Sequence, residues 1–283
     1  MHIVRRSRAI FALLIGLVLV ACSTVPYSER NRVILLSEGD EKEMGIQAYT
    51  EILSQSRPSS DFGSADMVRR VGMRIAAVAD KDLEKDEREP FQWEFNLIDD
   101  PQTVNAFCLP GGKVAFFSGI LPICRDELGV AVVMGHEVAH ALARHGGERV
   151  SQQYALNAIA SVVAALASKD AETQETVAGL LGVGLGVAVA LPFSRKHESE
   201  ADYIGLMLMA QAGYDPREAP RFWERMREAS GGKAPPEFLS THPSDEKRIQ
   251  ELDDAMGEAL DYYEKATGQK VAPSFERIEG KVR

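Results

Sequence analysis

The chain has 283 residues, of which 45% are apolar and 26% charged, and this suits one large folded domain or two small ones rather than a disordered chain. Its 42 acidic residues outnumber its 32 lysines and arginines, giving a formal net charge of −10. We therefore expect no nucleic-acid partner, because neutralising phosphate groups requires a basic surface.

Residues 1–21 are predicted to be a lipoprotein signal peptide. Arginines precede an apolar stretch that is too short for a comfortable membrane span. This stretch ends in Leu-Val-Ala-Cys, which resembles a bacterial lipobox and implies cleavage before Cys22 and lipidation of Cys22. A plain secretory peptide or an uncleaved anchor is the alternative. With Ser23 next, the enterobacterial sorting pattern implies a periplasmic protein anchored to the outer membrane, with residues 22–36 as a lipidated tether.

Residues 37–267 are predicted to form the folded domain, with 268–283 as a polar tail. Apolar residues recur at helical spacing from about 37 to 54 and again from 65 to 79, so both segments are predicted helices. The charged stretch 81–89 is expected to be a solvated loop.

A strand is predicted at Phe91–Leu97, where apolar and polar residues alternate. A turn at 110–112 then leads into a second strand over 113–117, expected at the edge of the sheet. An edge strand beside a metal site could hydrogen-bond an extended peptide. The candidate substrate-binding residues are therefore Lys113, Val114, Ala115 and Phe116. A plain structural hairpin accounts for the same pattern equally well.

Two cysteines lie inside the predicted domain, Cys108 and Cys124. A disulfide between them is chemically allowed in an oxidising compartment, and two small buried thiols are the alternative that we favour. Neither belongs to a C-x-x-C, so the sequence does not support a cysteine zinc site.

The central feature is a predicted helix over residues 126–147, capped by Asp126, that contains an H-E-x-x-H. Residues i and i+4 share one face of a helix, so the imidazoles of His136 and His140 can reach one metal ion. Glu137 points away from that pair and stays close enough to act on a metal-bound water. His145 is expected to lie off the metal face, in a structural role.

Further helices are predicted over 149–167, 194–212 and the stretch following His242. Between the first two, residues 177–191 are uncharged and rich in glycine. A buried, close-packed segment is the simplest interpretation, while a mobile lid or a membrane-dipping segment remains open.

A catalytic zinc usually has three protein ligands and one open position. Glu198, Glu200 and Asp202 are the downstream carboxylate candidates for the third ligand, and spacing alone does not choose among them.

The H-E-x-x-H followed by Glu-Ser-Glu-Ala-Asp-Tyr-Ile-Gly resembles the zinc metallopeptidases that include the CAAX prenyl proteases, HtpX, BepA and LoiP. Asn-Ala-Phe-Cys-Leu-Pro-Gly-Gly at 105–112 and Ser-Thr-His-Pro at 240–243 extend the similarity to most of 37–255. It is greatest for the periplasmic lipoprotein and BepA-like members. With the helical pattern it implies an α+β fold, a mostly helical zincin-like (gluzincin) domain with a small antiparallel sheet at the active-site cleft.

The resemblance implies one Zn²⁺ per chain held by His136, His140 and Glu198. Asp202, one turn further on, is expected to hydrogen-bond one of the two histidines, and Glu200 is expected to be a solvated or structural acid. His242 could donate to the reaction oxyanion, or could be an inhibitory fourth ligand, or an exposed histidine without a role.

The predicted function is hydrolysis of misfolded or stalled cell-envelope proteins by a membrane-anchored zinc endopeptidase, with Glu137 as general base and Zn²⁺ as Lewis acid. The alternative is a chaperone-like zinc-binding factor for outer-membrane protein assembly. A purely structural zinc site is disfavoured, because such sites usually have four ligands. The substrate and the oligomeric state do not follow from the sequence.

Overall fold

The computed structural model describes residues 22–167, 193–229, 231, 237–242 and 247–272, with only the backbone described at 22–23 and 158–167. The predicted signal peptide, the segment 177–191 and residues 273–283 of the predicted tail lie outside these residues.

Helices make up most of the described chain, together with a three-stranded sheet and a small N-terminal hairpin. The elements, in chain order, are β1 Cys22–Thr24, β2 Asn31–Val33, α1 Glu38–Gln55, α2 Phe62–Lys85, β3 Glu94–Ile98, β4 Ala106–Leu109, β5 Lys113–Phe117, α3 Leu121–Cys124, α4 Glu127–Leu142, α5 His145–Ala167, α6 Arg195–Gln211, α7 Glu218–Ala229, α8 Glu237–Thr241 and α9 Arg248–Thr267. The predicted mostly helical α+β class is confirmed. Helix α2 is longer than predicted, because buried Asp82 and Leu83 continue its inner face into the stretch expected to be a loop.

The sheet has the order β3-β5-β4 and is mixed, with β3 parallel and β4 antiparallel to β5. Two details of the prediction were therefore wrong, the purely antiparallel sheet and the edge position of Lys113–Phe117. Strand β5 is central, and its middle residues Val114, Ala115 and Phe116 are all fully buried. A continuous apolar run is typical of a strand covered on both faces. Strands β3 and β4 are the two edge strands of this sheet, and a turn at Gly111 and Gly112, both at positive φ, joins β4 to β5.

Helix α4 is the centre of the core, and all its residues from Gly129 to Leu142 are buried. As predicted, the Asp126 carboxylate caps it by accepting from the backbone N–H groups of Leu128 and Gly129. The helix ends earlier than expected, and Arg144 at a φ of 54° leads directly into α5. Gly146 and Gly147 therefore lie in the first turn of α5.

Helices α4 and α6 touch backbone to backbone at Gly135 and Gly205. A Cβ at Gly135 would lie 2.7 Å from the Gly205 carbonyl oxygen, and one at Gly205 would lie 2.8 Å from the His136 nitrogen. Only glycine at both positions allows this approach, because no side-chain rotation can move a Cβ away from backbone.

Residues 22–36, predicted to be a tether, instead pack against the domain as the hairpin β1–β2 and its flanks. Val25 is 2% exposed and Ile34 7% exposed. The buried Arg32 guanidinium donates to the Ala143 carbonyl at the end of α4, and the Leu35 backbone N–H donates to the Ser151 hydroxyl, 2.8 Å away. The apolar residues of this short segment are thus buried against the folded core.

Both domain cysteines are free thiols, in line with the favoured interpretation, and Cys124 is buried. In the portion of the chain that the structure describes, we find no helix with the length and apolarity needed to cross a membrane.

The glycine crossing leads to a first prediction. Gly205→Ala should lower the free energy of unfolding by about 1–3 kcal/mol, because the new methyl group overlaps the α4 backbone. Chemical denaturation monitored by circular dichroism measures this change.

Gly257→Ala in α9 is the matched control, since nothing lies within 4 Å of its added Cβ. That variant should be stabilised by up to about 1 kcal/mol through helix propensity. Equal effects of the two substitutions would show that the crossing tolerates a side chain.

Candidate metal centre

Four buried side chains bring their donor atoms together beside α4. His136, His140, Glu198 and His242 each offer one ligand atom, and these atoms all lie within 4.8 Å of one another. His136 Nε2 is 3.1 Å from His140 Nε2 and 3.3 Å from His242 Nδ1. The Glu198 carboxylate oxygens lie 3.4 Å from His136 Nε2 and His140 Nε2 and 3.2 Å from His242 Nδ1. The cluster could hold one metal ion.

Local structure presents these donors from three places in the fold. His136 and His140 are one turn apart on α4, so their imidazoles share a face as predicted. Glu198 lies in the first turn of α6, which Ser194 caps by accepting from the His197 backbone N–H. His242 follows α8 directly, and its backbone N–H donates to the Phe238 carbonyl at 2.8 Å.

Asp202 lies against His136, as the sequence predicted for one of the two histidines. Its Oδ1 is 2.9 Å from His136 Nδ1, and its Oδ2 is 2.5 Å from Nε of the buried Arg248. Arg248 also donates through Nη2 to Glu198 at 2.7 Å. Sequence reasoning missed Arg248, which lies 50 residues after Glu198 in the chain.

The cluster is electrostatically suited to a cation. Burial by itself raises the pKa of Glu198. The neighbouring His242 and hydrogen bonds from His136 and His140 have a larger opposite effect, so the pKa of Glu198 lies well below its usual value. Burial lowers the pKa of His136, yet hydrogen bonds to Asp202 and Glu198 raise it to about 10. Without a metal the site therefore favours a positive charge next to its carboxylates.

A second chain of contacts begins at His140. Its Nδ1 lies 2.9 Å from Nδ1 of His145, whose Nε2 lies 2.8 Å from the Glu200 carboxylate. Arg30 donates to Glu200 at 2.7 Å and to Glu148 at 2.8 Å. His145 is fully buried. His145 and Glu200 thus contact the cluster through His140, a connection for which the sequence contained no usable signal.

Glu137 lies beside the cluster with one oxygen unpaired. It is 2% exposed, and among the described residues its Oε1 has no hydrogen-bond partner. This oxygen is 3.6 Å from His242 Nε2. Burial raises the pKa of Glu137, whereas the nearby His242 and a hydrogen bond from the Cys108 backbone are among the groups that lower it.

A cleft of about 430 Å³ opens over these groups. Its lining includes residues 105–109, from β4 and the residue before it, and also Glu137, Phe193 and His242. The predicted substrate-binding residues 113–116 are not among the lining residues, because β5 is covered by β4 on one side and β3 on the other. The free sheet edge beside the cluster is that of β4. His197 points elsewhere, toward Glu148, with its Nε2 3.3 Å from that carboxylate.

The donor set fits zinc. Imidazole nitrogens and a carboxylate oxygen are usual Zn²⁺ ligands, and the outer ring nitrogens of His136 and His140 are each held by a hydrogen-bonding partner. Glu137, whose Oε1 makes no hydrogen bond to the described residues and lies 3.6 Å from His242 Nε2, could serve as a general base beside such an ion.

The fold and this site define a zincin-like metallopeptidase. Residues 65–256 match Peptidase family M48, and the chain belongs to that family. The expected cofactor, zinc, is confirmed, as is the expected enzyme class, a zinc metalloendopeptidase.

Three relatives illustrate the range of the similarity. The mitochondrial metalloendopeptidase OMA1 of Schizosaccharomyces pombe is 45% identical, over 83% of this chain and 66% of that protein. OMA1 of Saccharomyces cerevisiae is 34% identical, over 93% of this chain and 78% of that protein. The beta-barrel assembly-enhancing protease of Escherichia coli is 29% identical, over 81% of this chain and 46% of that protein. The chain spans only part of each relative.

The comparisons correct the expected location. Bacterial periplasmic placement with an outer-membrane lipid anchor is contradicted, because the relatives with the higher identities are named mitochondrial proteins. Greater similarity to periplasmic lipoprotein members is also wrong, since the Escherichia coli protease matches at lower identity than either OMA1 protein.

Asp202→Asn should weaken zinc binding by about 10–100-fold, because an amide orients and polarises the His136 ring less strongly than a carboxylate. Competition for Zn²⁺ against a chromophoric chelator measures the change. Asp253→Asn, at an exposed position of α9, should leave the zinc affinity unaltered. Equal affinities of the Asp202 variant and the unaltered protein would contradict a supporting role for this carboxylate.

Proposed function

We propose that this chain hydrolyses internal peptide bonds of extended protein segments at a zinc site formed by His136, His140 and Glu198. The observation that carries the proposal is the unpaired Oε1 of buried Glu137 beside a cluster of metal-type donors in an open cleft. A structural zinc site does not require a buried carboxylate oxygen that lacks a hydrogen bond.

Zinc held by His136, His140 and Glu198 would supply a water of lowered pKa and polarise the scissile carbonyl. Glu137 would accept the proton of the attacking water and deliver it to the leaving amine. Burial raises the pKa of Glu137 and so makes it a stronger base than an exposed glutamate, which suits a group that must both take up and release a proton. Asp202 and Arg248 hold His136 and Glu198 in place throughout.

The substrate lies along β4. Among the described residues this strand pairs with β5 alone, so its other edge can hydrogen-bond an extended peptide and lay it across the cluster. The Cys108 backbone already contacts Glu137, which links this edge to the proposed base. Residues 106–109 replace 113–116 as the proposed substrate-binding strand.

His242 would act as a removable fourth ligand. Its Nδ1 is turned toward His136 and Glu198, so in this arrangement it would occupy the position that a catalytic zinc needs open. Withdrawal of His242 as substrate enters would open that position.

The proposed substrates are unfolded or misassembled proteins near a membrane. A cleft bordered by a strand edge accepts extended backbone and excludes folded domains, so an unfolded segment is the natural substrate. The name of the Escherichia coli relative connects a family member with the assembly of β-barrels.

Glu137→Gln should lower kcat by about 10²–10⁴-fold with zinc affinity unchanged within about twofold, because it removes the base and no ligand. Cleavage of an unfolded protein such as casein, with and without chelator, measures the activity. Glu251→Gln, at an exposed position of α9, is the control and should retain full activity. A Glu137→Gln variant that still cleaves casein at the original rate would rule out the mechanism.

His242→Ala should increase the cleavage of a short unstructured peptide, since it opens the fourth metal position. Zinc affinity should fall at the same time, because a ligand is lost. Steady-state kinetics and chelator competition on the same preparation measure both quantities. A fall in kcat without loss of affinity would instead assign His242 to the stabilisation of the oxyanion.

A further inference from the structure

The N-terminal hairpin contains the last link of a hydrogen-bonded chain that begins at the metal cluster. Arg30, in the turn before β2, contacts the Glu200 carboxylate through Nε at 2.9 Å and Nη2 at 2.7 Å. Ser28 in the same turn donates to the other oxygen of Glu200. Through His145, Glu200 is connected to His140.

The hydrogen-bonding roles in this chain are fixed once His140 Nε2 is turned to a metal. A ligating Nε2 carries a lone pair, so His140 must bear its proton on Nδ1 and donate to His145 Nδ1. His145 must then bear its own proton on Nε2, from which it donates to Glu200. The Glu200 carboxylate accepts from His145, and Arg30 balances its charge.

The turn that carries Arg30 is held at several points. The Tyr27 hydroxyl donates to Asp82 on α2 and accepts from Gln211 Nε2 on α6 at 2.8 Å. Arg30 also binds Glu148 on α5 through Nη1 at 2.9 Å. The Arg30 side chain is only 12% exposed, so its charge acts in surroundings that screen it weakly.

We propose that Arg30 is a positioning residue of the metal centre, which acts through Glu200 and His145 to fix the tautomer and orientation of the ligand His140. The segment 22–36 is therefore part of the catalytic unit, and docking of the hairpin increases the affinity of the cluster for zinc. This inference rests on the proposed role of His140 as a ligand. The two ligand histidines are then supported in similar ways. His136 contacts an acid of α6 directly and His140 through His145, and each of these acids pairs with an arginine from a distant part of the chain.

The test measures Zn²⁺ affinity of the full chain by chelator competition, together with the visible spectrum of the Co²⁺-substituted protein. Arg30→Gln should weaken Zn²⁺ binding by about 10-fold and alter the Co²⁺ absorption bands. This loss is at the lower end of the range of about 10–100-fold that is typical when a group supporting a metal ligand is removed. Arg30→Lys should recover part of the affinity, because it restores the charge without the forked contact.

Arg57→Gln is the matched control, because the Arg57 side chain is 76% exposed and pairs with Asp99 away from the cluster. It should leave both the affinity and the spectrum unaltered. An equal loss of affinity in Arg30→Gln and Arg57→Gln would overturn the proposal.

A double-mutant cycle tests the route. With His145→Phe already present, Arg30→Gln should weaken Zn²⁺ binding no further than about twofold, since the connection to His140 is already cut. A full additional 10-fold loss would show that Arg30 does not act through His145. If His145→Phe does not fold, Glu200→Gln takes its place in the cycle, because it keeps the shape of the side chain and removes its charge.

The outcomes separate this inference from the proposed function. An unaltered chain that binds no zinc would end the proposed function, and this inference with it. Zinc binding and casein cleavage in the unaltered chain, with an unchanged Zn²⁺ affinity and Co²⁺ spectrum in Arg30→Gln, would overturn the positioning role alone.

Discussion

The contact between α4 and α6 at Gly135 and Gly205 is the constraint on which the metal centre depends. Helix α4 carries two of the donor histidines, and α6 carries the donor carboxylate. Their side chains can meet around one ion only if the helix axes approach closely, and a Cβ at either glycine would prevent this. The same contact brings His136 next to Asp202, so it determines the position of the ligand and of the carboxylate that hydrogen-bonds to it.

Three acidic residues within less than two turns of α6 each contact a different part of the site. Glu198 faces the cluster directly, Asp202 holds the outer nitrogen of His136, and Glu200 holds His145 behind His140. Each carboxylate is buried with a basic partner, and a buried charge of this kind would be strongly destabilising alone. Arg248 compensates the first two, and Arg30 compensates the third. Two separate hydrogen-bonded chains therefore support the site, one ending at His136 and the other at His140.

The cleft combines this rigid centre with an open strand edge. Within the described part of the chain, the outer edge of β4 has no strand partner next to Glu137, which suits a substrate recognised by its backbone more than by its side chains. Such recognition is compatible with many sequences.

The sequence alone determined the parts of this protein that depend on short-range geometry. The pairing of His136 with His140 and the cap at Asp126 follow from helical spacing and local hydrogen bonding, whereas the choice of Glu198 rested on the resemblance to a known family. Tertiary structure decided the rest, because it depends on contacts between distant segments. It placed β5 at the centre of the sheet and brought Glu200 and His145 into contact with His140. It also paired Arg30 with Glu200, 170 residues later in the chain, and Arg248 with Glu198, 50 residues earlier. A charged residue in an N-terminal segment looks like part of a solvated tether until the fold supplies the buried carboxylate that it neutralises.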